Sequence, residues 1–338
     1  MVSTKIEILT VFVVLLATIT SAKLMYTTEF LRHGARTPQI KREDSPFDFT
    51  PEALTSSGAR QLFYLGMKLD KKYTDGGIYN MCSSFERTIK SAQSQMMGVK
   101  PGEPEKQLQT KFMRRSLEKY DQKQEDEFWA EFQKIVDNDN TGKYDCTATS
   151  FEESTVVGIG GCPGLFTMYK KRRAKMFNCW EQHFEEYRKD ALEPLAKAFG
   201  IDNVEDKDFY DYYFLSDTLW SEMHHQQKSR YNFTDEQISK IKEIQVVTSL
   251  NFVTEEYNRI IFTRMIEPTI QMMRSKIGLS YHEEVVEEFN NVELVVYSTH
   301  DHYLSILMHF LNASNNPVNY LDYSSYFIIE LESVLSTK

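Results

Sequence analysis

A chain of 338 residues with 39 basic and 49 acidic side chains carries a formal net charge of −10. That balance excludes a general nucleic-acid binder, whose affinity rests on a basic surface that neutralises phosphates. Hydrophobic residues at 41% suffice for one large domain or two modest ones, and a negative total leaves room for a small positive pocket.

The first residues read as a secretory signal peptide over 1–22. Lys5 precedes an apolar stretch at 8–19, and Thr20-Ser21-Ala22 offers small residues for cleavage. The stretch is short for a bilayer span, which needs about 20 residues, and no second one follows. The mature protein is therefore expected to begin near Lys23 without a stable membrane span, in the secretory pathway, extracellular or in the lysosomal lumen. Cys82, Cys146, Cys162 and Cys179 allow three disulfide pairings in an oxidising compartment, and no CxxC zinc spacing occurs. The sequons at Asn232 and Asn312 make both candidate glycosylation sites on that route.

Residues 24–31 read as a strand that runs directly into Arg32-His33-Gly34. Leu62, Leu65 and Leu69 recur at helical spacing within 54–73, and Gly76-Gly77 ends that segment. A short strand at 78–82 and a helix at 85–97 follow. From about 107 to 278 the texture turns helical, charged and aromatic, in runs such as 124–136, 170–199 and 234–278, and strands are scarce. Strand texture returns at Leu294-Val295-Val296-Tyr297, then a helix at 302–311 and a last strand at Phe327-Ile328-Ile329. Strands at both ends of a helical middle predict an α/β core, 23–105 with 279–338, carrying a mainly helical insertion at 106–278.

The chemistry concentrates in Arg32-His33-Gly34-Ala35-Arg36-Thr37-Pro38. Guanidinium groups are planar, permanently charged forks that bind phosphate oxygens in pairs. Gly34 lets the backbone turn tightly and an anion approach. A histidine between cations has its pKa pushed down, so it keeps the lone pair that a nucleophile needs at mildly acidic pH.

This run resembles the RHGxRxP signature of the histidine acid phosphatases, a branch of the histidine phosphatase superfamily. Later segments resemble the same family in order. Leu54-Thr55 through Gly58 and Gln61 are similar to its LTxxGxxQ helix start, Arg87-Thr88 with Ser91-Ala92-Gln93 to its RTxxSAQ segment, and His300-Asp301 to its distal HD pair. The resemblance implies an α/β fold, a Rossmann-like mixed central sheet flanked by helices, with a large inserted α-helical cap that sets specificity. It implies an acid phosphatase acting on small phosphate monoesters without metal or cofactor. His33 would attack phosphorus, and Asp301 would protonate the leaving oxygen. Arg32, Arg36, Arg87 and His300 would hold the phosphate. His302 and Tyr303 depart from what usually follows the HD pair, and Lys90 stands where relatives are usually apolar.

Other readings are weaker. The Asp-x-His and Asn-His-Glu segments of a binuclear metallophosphatase are missing, and only four residues separate Cys82 from Arg87 where a cysteine phosphatase needs five. His224-His225 and His300-x-His302 are weak metal hints, because adjacent helical residues point about 100° apart. A phytase-like phosphatase of highly phosphorylated substrates and a non-catalytic binder of phosphorylated ligands are the alternatives. Cap residues around 211–225 are candidates for substrate choice. Oligomeric state is not encoded legibly.

Overall fold

The computed structural model describes residues 23–40, 45, 47, 50–73, 76–113, 121–149, 183–225, 232–250, 255–281, 283, 292–311 and 320–333. The expected signal peptide, Cys162, Cys179 and Asn312 lie outside them. The other sequon residue, Asn232, is exposed.

Strand β1 (Lys23–Arg32) is buried on both faces from Tyr26 onward, so it sits inside a sheet covered on two sides. Its neighbours are β4 (Val292–Thr299), parallel, and β5 (Tyr326–Ser333), antiparallel. Beyond β4 lie β2 (Gly77–Ser83) and β3 (Thr147–Thr149), giving the order β3-β2-β4-β1-β5. Only β5 runs against the rest, so the sheet is mixed, as expected. The edge strand β3 was not legible in the sequence: three residues are too few for a periodicity.

The period of two along β1 and β4 sends alternate side chains to opposite layers. Tyr26, Phe30, Val295 and Tyr297 pack against Ile266 and Met272 of α8 (Glu255–Lys276) and Tyr303, Leu304 and Leu307 of α9 (Asp301–Phe310). On the other face, Leu31, Leu294 and Val296 meet α1 (Ser56–Tyr73), α2 (Glu86–Gly98), and Phe128 and Phe132 of α4 (Gln122–Asp137). A short α3 (Glu103–Leu108) continues into a π turn at Gln109–Met113. A Cβ on Gly66 would collide with the Gln95 carbonyl, so glycine there permits the close approach of α1 and α2. Within 106–278, α4 and the later α8 pack on the sheet and β3 pairs with β2 at its edge.

A third core is separate. It gathers Leu192 and Leu195 near α5 (Glu193–Ala198), Phe209, Tyr212 and Leu219 of α6 (Phe209–His224), and Ile241 and Ile244 of α7 (Asp235–Leu250). Helix α6 starts from a capping box in which the Asp208 and Asp211 side chains each accept from the other's backbone N–H. A disulfide joins Cys82 at the end of β2 to Cys146 beside β3, one of the three pairings open in the sequence. Among the described residues, no helix is long and apolar enough to cross a membrane.

One charged group lies deep in the sheet. Glu29 of β1 is fully buried and accepts from Gln95 Nε2 at 2.8 Å. Burial pushes its carboxyl up to about 7, against the pull of the Gln95 donor. The folded protein thus holds a proton that the unfolded chain releases near the ordinary carboxylate value. Stability from this group is full below that value and is lost as pH rises through about 7. Calorimetric melting is expected to give a lower Tm at pH 8 than at pH 5, with Glu29→Gln narrowing the gap; an unchanged gap would assign the dependence elsewhere.

Candidate active site

Parallel neighbours end side by side. Arg32 at the end of β1 pairs in register with Thr299 at the end of β4, so His33 and His300 leave the sheet at the same edge. Open α/β sheets bind ligands at this carboxyl edge. The His33 N–H donates to the Thr299 carbonyl at 3.0 Å, and the two imidazoles stand edge to face with centroids 5.4 Å apart. From β2, Ser83 and Phe85 lead into α2, whose second residue is Arg87.

The residues around the first motif explain why that loop has one shape. Thr55 donates through both its N–H and its hydroxyl to the Ala35 carbonyl, each at 3.1 Å, and Gln61 accepts from the Ala35 N–H at 2.9 Å. Ser91 Oγ accepts from the Gly34 N–H at 3.1 Å. A Cβ on Gly34 would strike the Gly58 carbonyl, so the loop lies against the start of α1 with no room for a side chain. Two segments distant from it in sequence, 55–61 and Ser91, therefore clasp one turn.

The six candidate residues form one cluster. His33 is 2% exposed, and its Nδ1 bonds the Gly34 carbonyl at 2.9 Å. That bond requires a proton on Nδ1 and leaves the lone pair on Nε2. Burial, then the charges of Arg87, Arg32 and Arg36, hold its pKa well below the ordinary histidine value. His300 Nδ1 faces Arg87 Nη2 at 3.4 Å, so its Nε2 donates to Ser83 Oγ at 3.1 Å. Burial and Arg87 likewise keep this imidazole neutral, its pKa well below the ordinary value.

Each arginine has its own carboxylate. Arg32 Nη2 meets Asp301 Oδ2 at 2.8 Å, its Nη1 donates to the Leu321 carbonyl, and its guanidinium lies 4.5 Å from the Tyr323 ring centroid. Arg36 is bidentate to Asp217 of α6, at 3.1 and 2.7 Å. Arg87 Nη1 lies 3.4 Å from Glu52 Oε2. Burial, then repulsion from Arg36, lowers the Arg87 pKa to about 10. Burial alone would raise the Asp301 carboxyl, yet Arg32 holds it well below the usual carboxylate range. Asp301 also opens α9 with His300 as the N-cap, where the helix dipole favours an anion.

Asp217, Glu52 and Tyr323 were not singled out in the sequence. The signal for Asp217 was an acid inside the apolar run Tyr212-Tyr213-Phe214-Leu215-Ser216-Asp217-Thr218-Leu219-Trp220, since such an acid needs a buried cation. The segment 211–225 comes straight onto the loop: Ser221 Oγ donates to the Arg36 carbonyl at 2.7 Å, and His225 bonds Thr55 Oγ1 at 2.8 Å. His224 bonds Asp322 at 2.7 Å. These two histidines thus tie the cap to the core, and among the described residues no group of three His, Cys, Asp or Glu is placed to hold a metal.

The Arg36–Asp217 pair is almost wholly inaccessible, at 4% and 5% side-chain exposure. Asp217→Ala strands a buried guanidinium and is expected to destabilise the fold by about 3–5 kcal/mol, read as a lower urea midpoint. Arg36→Met combined with Asp217→Leu should recover much of that loss; no recovery would show that the pair is not what the single change removed.

The family model described as histidine phosphatase superfamily (branch 2) matches residues 23–334. None of the curated proteins matches the chain in sequence. Among solved structures, the Citrobacter braakii phytase superposes with a TM-score of 0.57 at 13% identity, over 91% of this chain and 81% of that one. The Klebsiella sp. ASR1 phytase gives 0.56 at 11%, over 92% and 79%. The D. castellii phytase gives 0.50 at 15%, over 94% and 72%. At these identities the likeness is one of fold.

Proposed function

Since the chain belongs to branch 2 of the histidine phosphatase superfamily, a family of phosphatases, we propose that it hydrolyses phosphate monoesters at acidic pH through a phosphohistidine on His33. The observation that carries the reading is the His33 ring. Its Nδ1 is committed to the Gly34 carbonyl and its neighbours are three guanidiniums, so Nε2 keeps its lone pair well below pH 6.5.

In the first step Nε2 attacks phosphorus, the P–N bond forms and the P–O ester bond breaks. The leaving oxygen takes a proton from Asp301. Arg32, Arg36 and Arg87 hold the non-bridging oxygens and offset the charge that develops there; losing one such donor typically costs about 10²–10³ in rate. His300 joins them by turning its Nε2–H from Ser83 Oγ to a phosphoryl oxygen. Asp301 is an ionised partner of Arg32 in the free site. An arriving phosphate shares that guanidinium, weakens its hold on the carboxylate and lets the carboxylate take up the proton that it later delivers. In the second step water, deprotonated by Asp301, attacks the phosphohistidine and the P–N bond breaks.

An exposed sequon at Asn232 and the Cys82–Cys146 disulfide support a secretory or lysosomal location. The phytase-like reading draws on the solved neighbours, which are phytases by name. A further cation favours it here: Lys242 Nζ lies 4.8 Å from the Trp220 ring and 5.5 Å from the Tyr320 ring, the ring that the Arg32 guanidinium also approaches, at 5.7 Å.

Acid-quenched labelling with a radioactive phosphate ester at pH 5, chelator present, tests the mechanism. Wild type should carry label on histidine and turn over. His33→Ala should do neither. Asp301→Ala should lose about 10²–10⁴ in rate, and less with a good leaving group such as p-nitrophenol. Label surviving in the His33 variant, or turnover abolished by chelator, sinks the proposal; binding of phosphate esters without turnover would favour a non-catalytic binder. The acid limb of kcat/KM should lie well below pH 6.5, because the depressed His33 value keeps the base form present until the pH drops that far.

A further inference from the structure

Glu52 occupies a place where its residue type is unexpected. Ala53 N donates to the Thr50 carbonyl at 3.4 Å, closing a turn with Pro51 second and Glu52 third. Glu52 has φ 62°, in the left-handed region that turns of this pattern reserve for Gly or Asn. The turn cannot relax alone. Thr37 N donates to the Ala53 carbonyl, Ala53 N to Thr37 Oγ1 and Thr37 Oγ1 to the Thr50 carbonyl, each at 2.9 Å, while Glu52 N donates to the Pro38 carbonyl at 3.1 Å. The direction of the Glu52 side chain is therefore fixed by the loop that carries Arg36.

Its carboxylate ends on Arg87, at 3.4 Å, with 32% of the Glu52 side chain exposed against 9% for Arg87. One guanidinium nitrogen of Arg87 faces His300 and the other faces Glu52. Glu52 meets the guanidinium through one oxygen, Oε2 to Nη1, so a phosphoryl oxygen that reaches Nη1 competes with that carboxylate.

We propose that Glu52 determines substrate charge: it competes with anions for Arg87 and selects singly phosphorylated esters over highly phosphorylated ones. This rests on the cluster being a phosphate site. One phosphoryl group inside the clamp gains Arg32, Arg36 and Arg87 together and displaces the carboxylate. A further phosphate on the same substrate, left at the mouth, meets that displaced negative charge. Inorganic phosphate, the product, is weakened in the same way and leaves more readily.

Full-length wild type, Glu52→Gln and Glu52→Gly are compared at pH 6 with inorganic phosphate as the probe, by competitive inhibition and by calorimetry. Glu52→Gln keeps the shape and the left-handed residue but removes the charge. It is expected to tighten phosphate by about fivefold, the worth of one partly exposed ion pair, with the change falling on Ki and KM more than on kcat. The kcat/KM for inositol hexakisphosphate relative to p-nitrophenyl phosphate should rise by a similar factor, and high salt should shrink both effects. Glu52→Gly should do the same and also raise Tm, since glycine adopts this φ without strain. Unchanged phosphate affinity and substrate ratio in Glu52→Gln, or an effect in the glycine variant alone, would overturn the proposal and leave a merely strained turn. Wild type without turnover whose phosphate binding still tightens in Glu52→Gln would instead remove the hydrolytic reading and keep the role of Glu52.

Discussion

Three guanidiniums packed around one buried imidazole are the constraint on which the rest of this structure depends. Like charges in a desolvated cluster repel strongly, and each pays a desolvation penalty besides. The chain answers with one carboxylate per guanidinium, each from a different segment. Asp301 comes from the start of α9, Asp217 from the cap helix α6, and Glu52 from the turn after the loop. The end of β1, the loop after it and the start of α2 supply the cations, and the anions tie the start of α9, the helix α6 and the turn at Glu52 to them.

Those three carboxylates are not equivalent, and exposure separates them. The Asp217 side chain is 5% exposed, and it accepts from the Gln39 N–H at 3.0 Å as well as from Arg36. It is wedged, so an arriving anion cannot take its place, and Arg36 offers the phosphate only the part of its fork that Asp217 leaves. Asp301 at 26% and Glu52 at 32% stand at the open side. Under the proposed function they are the partners that a phosphate would displace. The free site is thus already filled with anionic oxygens, which lowers the charge imbalance before substrate arrives.

Much of the sheet was legible because β1, β4 and the helices beside them carry clean periodicities, and the site loop because Arg32 through Pro38 concentrates unusual chemistry in seven positions. Legibility failed where the information is not local. β3 is a strand only because β2 offers it an edge, and α4 belongs to the core because Phe128 and Phe132 meet Leu294 and Val296. Asp217 and Glu52 are separated from their arginines by long stretches of chain or by a turn whose φ no periodicity reports. His33 through Arg36 declared a positive site; which acids balance it was a question of tertiary packing alone.

The proposed mechanism asks one carboxylate to serve in two protonation states, and the arrangement suits it to that. Arg32 holds Asp301 as the ionised form, and the helix N-terminus at His300 supports that charge. A proton donor of this kind would be useless if its surroundings were fixed. Yet the charge that stabilises the carboxylate is the same charge that the phosphate consumes. Under the proposed mechanism, occupation of the clamp would weaken the Arg32–Asp301 attraction and raise the affinity of Asp301 for a proton at the moment the leaving oxygen needs one. In that mechanism the free alcohol would depart after the first step, the negative phosphoryl group would stay near Arg32, and Asp301 would be left as a base for the water that enters. On that reading the switch is a change in which anion the guanidinium serves.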